Sequence, residues 1–262
     1  MPSIAEPLPL PTADGAGSSR LLAGRRLLIT GAAHGFGAAL ARAAGRCGAE
    51  VILLDRDLKA LEAVYDAIQA DGSPEPALYP MDLLGGTPDD HQQLAARLAE
   101  SLGSLYALVH GAAVLGKPAP LEHYAPQEWL RTLQVNVNGP FLLTRSLLPL
   151  LRSAPGSRVV FVSDACGRRG KAYMGGYGVS KFALEGLMET LAAETEGSDG
   201  PVSMSLDPGP MATALRRQGY PAEGPVGHPA PEQVALASLG LLDPSGTPVN
   251  GGRYRYGVTT DE

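Results

Sequence analysis

From Arg25 onward, short apolar runs alternate with longer stretches in which apolar positions recur every three or four residues. An apolar run without polar alternation is what a strand covered on both faces requires, and the longer period is that of a helix with one buried face. The pattern predicts strands at Arg26 to Thr30, Val51 to Asp55, Ala77 to Met81, Leu105 to His110, Arg158 to Ser163 and Val202 to Leu206, with a last one at Arg253 to Tyr256. Helices are predicted over Gly35 to Cys47, Leu58 to Ala70, Thr87 to Leu102, Pro126 to Leu151, Gly175 to Glu194 and Pro231 to Leu242. Strands alternating with helices make repeated βα units, so the expectation is an α/β fold: a single doubly wound domain around a mostly parallel sheet of six or seven strands. Residues 1–22 carry Pro2, Pro7, Pro9 and Pro11 and then Asp14 to Ser19 with no period that buries a face, and they are expected to be a flexible tail. The domain is expected over residues 23–258, with a short tail at 259–262.

Composition narrows the function classes. Lys plus Arg number 21 against 27 Asp plus Glu, a net charge of −6, which argues against nucleic acid or an anionic membrane surface as partner. No run of about 18 apolar residues is present to span a bilayer, and no basic-then-apolar leader is seen. Cys47 and Cys166 are too few for a disulfide framework, and the five histidines are scattered without metal-ligand spacing. A cytoplasmic protein acting on small molecules, with no metal, is the expectation.

The first predicted strand runs into Thr30-Gly31-Ala32-Ala33-His34-Gly35-Phe36-Gly37 and then an alanine-rich helix. Glycines at such a turn let the backbone approach a pyrophosphate closely, and the helix start offers free N–H groups and partial positive charge. An ordinary βα turn would use glycines in the same way. The second strand ends in Asp55, where a carboxylate can accept from an adenosine ribose and would repel a 2′-phosphate, so NAD is favoured; the adjacent Arg56 could instead pair with that phosphate, which keeps NADP as the alternative. Asp82, with Leu83 beside it, follows the third strand and is placed to bind the adenine amino group.

Tyr177 and Lys181 lie four residues apart on a predicted helix, on one face. A tyrosine is a poor base at neutral pH, and a nearby ammonium stabilises its phenolate. Taken with Thr30-Gly31-x-x-x-Gly35-x-Gly37, Asp55, Asp82, Asn136 in Asn136-Val137-Asn138-Gly139, and Pro208-Gly209-Pro210-Met211-Ala212-Thr213, in that order, the chain resembles the short-chain dehydrogenase/reductase family from about Arg25 to Tyr256. The resemblance implies a Rossmann-type domain that interconverts an alcohol and a ketone or aldehyde by hydride transfer with NAD or NADP. It implies that Tyr177 exchanges a proton with the substrate oxygen, Lys181 also holds the nicotinamide ribose, Asn136 anchors a proton-relay water, and Thr213 with the backbone about Pro208, Gly209 and Met211 holds the carboxamide. It further implies a homodimer or homotetramer.

Two departures from the family pattern stand out. The usual Asn-Asn-Ala-Gly after the fourth strand is His110-Gly111-Ala112-Ala113, so the cofactor edge at Gly111 and Ala112 is expected to be kept with altered bracing. The usual catalytic serine, thirteen residues before the tyrosine, is Asp164, with Ser163 one residue earlier and facing the other way along a strand. Three outcomes are open: a protonated Asp164 that donates as the serine would, an ionised Asp164 that binds a hydroxyl or cationic group of the substrate, or a bulged strand end that brings Ser163 into the role. An ionised Asp164 would oppose the Tyr177 phenolate, and a cofactor-binding sensor or scaffold without turnover is therefore the rival to the enzyme. Arg168, Arg169 and Lys171 follow the fifth strand as a solvated loop or as a lure for an acidic substrate.

Overall fold

The computed structural model describes residues 7–11, 20–223 and 227–257. The strands are β1 (Leu8–Pro9), β2 (Arg26–Thr30), β3 (Glu50–Asp55), β4 (Ala77–Pro80), β5 (Ala107–His110), β6 (Arg158–Val162), β7 (Val202–Asp207) and β8 (Gly252–Arg255). They form one sheet in the order β1-β8-β7-β6-β5-β2-β3-β4, and every pairing is parallel. The helices are α1 (Gly35–Arg46), α2 (Leu58–Ala70), α3 (Pro88–Leu102), α4 (Pro126–Leu133), α5 (Gly139–Arg152), α6 (Gly175–Thr195), α7 (Ala214–Gly219) and α8 (Pro231–Ser238). From β2 the chain first winds outward through β3 and β4, then returns to β5 on the other side of β2. That reversal opens a crevice at the strand carboxyl ends.

Both faces of the sheet are covered. Leu27 and Ile29 of β2 pack with Leu40 of α1, Leu61 of α2 and Val234 of α8 on one side. Leu28 faces the other way, into a second core with Leu94 of α3, Leu143 of α5 and Leu184 of α6. This is why the strands read as continuous apolar runs rather than alternating ones. β6 is anchored at its start by the buried Arg158, whose guanidinium donates to Tyr106 Oη (3.0 Å) and to the carbonyls of Leu241 (2.8 Å), Asp243 and Gly246 (2.8 Å).

The sheet has eight strands rather than six or seven. The added one, β1, lies within the segment expected to be a tail: Leu8 and Pro9 pair with Tyr254 and Arg255 of β8. The proposed tail at 259–262 falls outside the described residues. The single helix expected over Pro126 to Leu151 is two helices, joined by a wider π-type turn at Gln134–Asn138. Pro140 lacks the N–H that the carbonyl of Asn136 would accept in an α-helix, which favours the looser turn at that point.

At the end of β5, His110 is buried, stacked on Phe161 (ring centres 4.9 Å apart) and 2.9 Å from Thr144 Oγ1 through Nε2. Burial lowers its pKa to about 3. The folded state therefore binds fewer protons than the unfolded chain between the ordinary histidine range and that value, and stability falls as pH drops through this window. His110→Asn is expected to remove about 1.4 kcal/mol per pH unit from the acid-side slope of unfolding free energy. Urea denaturation at stepped pH between roughly 6 and 4 measures it; equal slopes in the two proteins would contradict it.

Candidate active site

A cleft of about 910 Å³ lies over the carboxyl ends of the strands. Its floor on one side is the β2–α1 turn. Gly31 holds φ +71° and Gly35 φ +52°, and a side chain on Gly37 would collide with the Gly31 carbonyl oxygen. These positions let the first turn of α1 lie directly on the strand end. No side chain caps α1 and no acidic residue sits in its first turn, so its N–H end is free to receive an anion.

At the next strand end, Asp55 accepts from Ala33 N–H (3.3 Å) and Asp57 N–H (3.2 Å). Asp57 caps α2 through Ala60 N–H (3.1 Å) and lies 3.2 Å from His34 Nε2; the backbone bond and then the histidine hold its carboxyl below the usual range. Arg56 is exposed at this rim, and Asp82 accepts from Leu84 N–H (3.0 Å) beside the buried Leu83. Together with the uncapped start of α1, these groups suit an adenine dinucleotide.

The bracing altered by His110 is made good by Thr30. Its Oγ1 accepts from both Gly111 N–H and Ala112 N–H (3.1 Å each) and donates to Val109 O (3.4 Å). A side chain at Gly111 would press on the Thr30 carbonyl at 2.7 Å, so glycine is required for this close approach. The Gly111–Ala112 edge of the cleft is thus tied to β2 by the Thr30 hydroxyl.

At the other end of the cleft, α6 lays Tyr177 and Lys181 against the end of β6, both buried. Lys181 Nζ donates to Val162 O (2.7 Å) and stands 5.4 Å from the centre of the Tyr177 ring. Tyr177 Oη donates to Asp164 Oδ2 (3.3 Å), while Asp164 Oδ1 accepts from Cys166 N–H (2.8 Å). Each Asp164 oxygen thus has one partner, the phenol on one side and a backbone N–H on the other. Burial, and then Asp164, push the Tyr177 hydroxyl well above its usual range; burial pulls the Lys181 ammonium down. Burial and Asp164 also push the Cys166 thiol up, which keeps it a packed, unreactive group.

The bulge expected as one route for Ser163 is not found: Asp164 is extended (φ −160°, ψ 156°), and the pairing with β7 continues at Ser163, whose N–H donates to Leu206 O (2.7 Å). Ser163 borders the cleft with its hydroxyl buried and unpartnered among the described residues. Asn136 does not line the cleft. Its side chain accepts from Val114 N–H (2.8 Å) and donates to Val114 O (2.9 Å) and Ser180 Oγ (3.0 Å), tying the loop after β5 to α6. Thr213 caps α7 by accepting from Arg216 N–H (3.2 Å) and rests against Gly35; Pro208, Gly209 and Met211 line the wall beside it. Arg168 turns away toward the buried Glu185 (3.6 Å), whereas Arg169 and Lys171 border the cleft.

Sequence reasoning missed Asp207. It is buried at the end of β7, lines the cleft, accepts from Gly209 N–H (2.9 Å) through Oδ1, and keeps Oδ2 without a hydrogen bond, 3.5 Å from Arg255 Nε. Burial pushes its carboxyl up. A carboxylate closing an apolar strand was the signal for it. The apolar wall was missed as well: Leu115, Cys166, Met174 and Tyr177 form a separate cluster with Leu215 and Tyr220 against it. Lys171 Nζ donates to Tyr220 Oη (2.7 Å) and Arg216 stacks 3.6 Å from the same ring, so these two cations hold Tyr220 in the cleft lining.

A family model described as short chain dehydrogenase matches residues 25–223. The Escherichia coli (strain K12) protein named "Uncharacterized oxidoreductase YciK" is 36% identical over 242 residues, covering 92% of each chain. A solved chain from Pseudomonas syringae is 42% identical with a TM-score of 0.89 over 92% of this chain and 97% of that one. Another, from Escherichia coli CFT073 and complexed with NADPH, is 36% identical with a TM-score of 0.86 over 91% and 98%.

Asp164→Asn removes the like charge beside the phenol and is expected to move Tyr177 ionisation to lower pH. Ultraviolet titration of tyrosinate, differenced against Tyr177→Phe in each background, reads the shift. An unmoved titration would mean that burial alone holds the hydroxyl up.

Proposed function

The chain belongs to the short chain dehydrogenase family, and on that premise we propose that it is a nicotinamide-dependent oxidoreductase interconverting an alcohol and a ketone or aldehyde, with Tyr177 exchanging the proton. The observation that carries this reading is the buried Tyr177 with Lys181 at one end of a cleft whose other end is an anion-receptive glycine turn. A bound nicotinamide cofactor supplies the hydride chemistry. The chain's own part is to hold the phosphates on the α1 N-terminus, to brace the cleft floor through Thr30 and Gly111, and to place one phenol at the substrate. The Lys181 ammonium, close to that ring, favours charge on the phenol oxygen, and Asp164 opposes it. An alcohol hydroxyl is itself a donor, so the acceptor Asp164 suits the alcohol half of the couple.

NADP(H) is the cofactor we assign, in place of the NAD that Asp55 alone suggests. Its support is the NADPH held by the Escherichia coli CFT073 relative, and the local charge permits it. Asp55 is engaged by two backbone N–H groups, Arg56 is exposed at the rim, and Asp57 next to it is paired with His34. The exposed Phe141 of α5 and Val179 and Phe182 of α6 support a homodimer or homotetramer, and the unpaired, buried Cys47 and Cys166 suit the cytoplasm. Among the described residues no helix is long and apolar enough to cross a membrane. A cofactor-binding sensor is the second reading, favoured by the Tyr177 hydrogen already being given to Asp164.

Tyr177→Phe is expected to cut kcat/KM by about 10²-fold or more across an alcohol and ketone panel while NADPH still binds with a similar Kd. Activity surviving the substitution would overturn the assigned role, and wild-type protein that binds cofactor but turns nothing over would favour the sensor. Arg56→Ala should weaken NADPH binding by about tenfold and leave NADH nearly unchanged. Tighter binding of NADH than NADPH by the wild type would return the assignment to NAD.

A further inference from the structure

Tyr177 and Asp164 both line the cleft and are in hydrogen-bond contact at 3.3 Å, so a substrate group brought to Tyr177 Oη is also close to Asp164. A hydroxyl at that position would donate. A carboxylate only accepts, and this one already draws two donors toward it, Tyr177 O–H and Cys166 N–H. A neutral carbonyl oxygen placed there faces an anion, and the phenol hydrogen it needs is given to the aspartate. The group that fits is one that carries its own hydrogen and positive charge. An alcohol has the hydrogen but loses it on becoming a ketone, so a carbon–oxygen couple keeps its bond to Asp164 in only one of its two states.

A carbon–nitrogen couple keeps an N–H in both. We propose that the substrate pair at this site is a secondary amine and its protonated cyclic imine, on an apolar skeleton. The proposal rests on the hydride-transfer reading above and changes the acceptor. In the reducing direction the iminium carbon accepts the hydride from a reduced nicotinamide cofactor, which is oxidised by the same two electrons. The C=N π pair becomes the nitrogen lone pair, the positive charge is cancelled, and the N–H stays on nitrogen throughout. No proton has to come from the protein in that step; the neutral amine then takes one from water on leaving. Asp164 accepts from the iminium N–H and balances its charge, and the Leu115, Met174 and Tyr220 wall receives the hydrocarbon. Asp207 on the same cleft is paired with Arg255 (3.5 Å), so Asp164 is the carboxyl the proposal relies on.

The test compares 3,4-dihydroisoquinoline with 1-tetralone, two acceptors of similar size, using NADPH and the full chain. Wild type is expected to favour the imine by about tenfold or more in kcat/KM, and Asp164→Ser to invert the order, the imine falling and the tetralone rising. Calorimetry without cofactor supplies a readout apart from turnover. Tetrahydroisoquinoline, an ammonium at neutral pH, should bind more tightly than the hydrocarbon tetralin, and Asp164→Asn should abolish most of that difference. Turnover of tetralone that depends on Tyr177, with the imine disfavoured, would overturn the carbon–nitrogen couple and leave hydride transfer standing. Turnover of neither, with amine and tetralin bound alike, would overturn both.

Discussion

A parallel sheet buried on both faces leaves one place for polar chemistry, the row of strand carboxyl ends. Every strand of this sheet points the same way, so the ends of β2, β3, β5, β6 and β7 deliver Gly31, Asp55, Gly111, Asp164 and Asp207 to a single cleft. The two apolar cores act as the clamp that fixes those ends, and α1 and α6 are the elements that descend onto them from opposite faces. Whatever the protein does to a small molecule is constrained by that arrangement: an uncapped helix start at α1, and a buried phenol on α6 some strands away.

Within the cleft, the competition around Tyr177 decides the chemistry. Desolvation and two carboxylates disfavour its phenolate, while a single ammonium, itself weakened by burial and tied to the Val162 carbonyl, favours it. Replacing a hydroxyl donor by an acceptor at position 164 changes the sign of what the site offers a substrate. Lys181, 5.4 Å from the ring centre and bonded to Val162 O, offsets part of the charge that Asp164 brings to the site.

Much of this was legible in the sequence because apolar runs covered on both faces leave a clear trace, and the six strands predicted between Arg26 and Leu206 differ from the observed ones by at most two residues at either end. What stayed hidden has identifiable causes. Leu8–Pro9 is too short to show a period, and it is a strand only because β8 offers an open edge. The break in the long helix depends on one missing N–H at Pro140, which a hydrophobic pattern does not register. Position 164 could be named from its spacing to Tyr177, but which of its oxygens accepted, and from whom, required the fold of β6 against α6. Asp207 lies one residue beyond the predicted strand Val202 to Leu206, and its burial beside Arg255 is a product of the fold.

The short pairing of Leu8–Pro9 with Tyr254–Arg255 carries a consequence for how molecules of this protein meet one another. An uncovered β8 would present a row of unsatisfied amides and carbonyls, a template on which a second sheet could grow. The added strand is only two residues long and ends in a proline that has no amide hydrogen to offer, so it closes the row without starting another. Shortening the chain in the belief that its first residues are ornamental would therefore trade a sealed margin for an adhesive one.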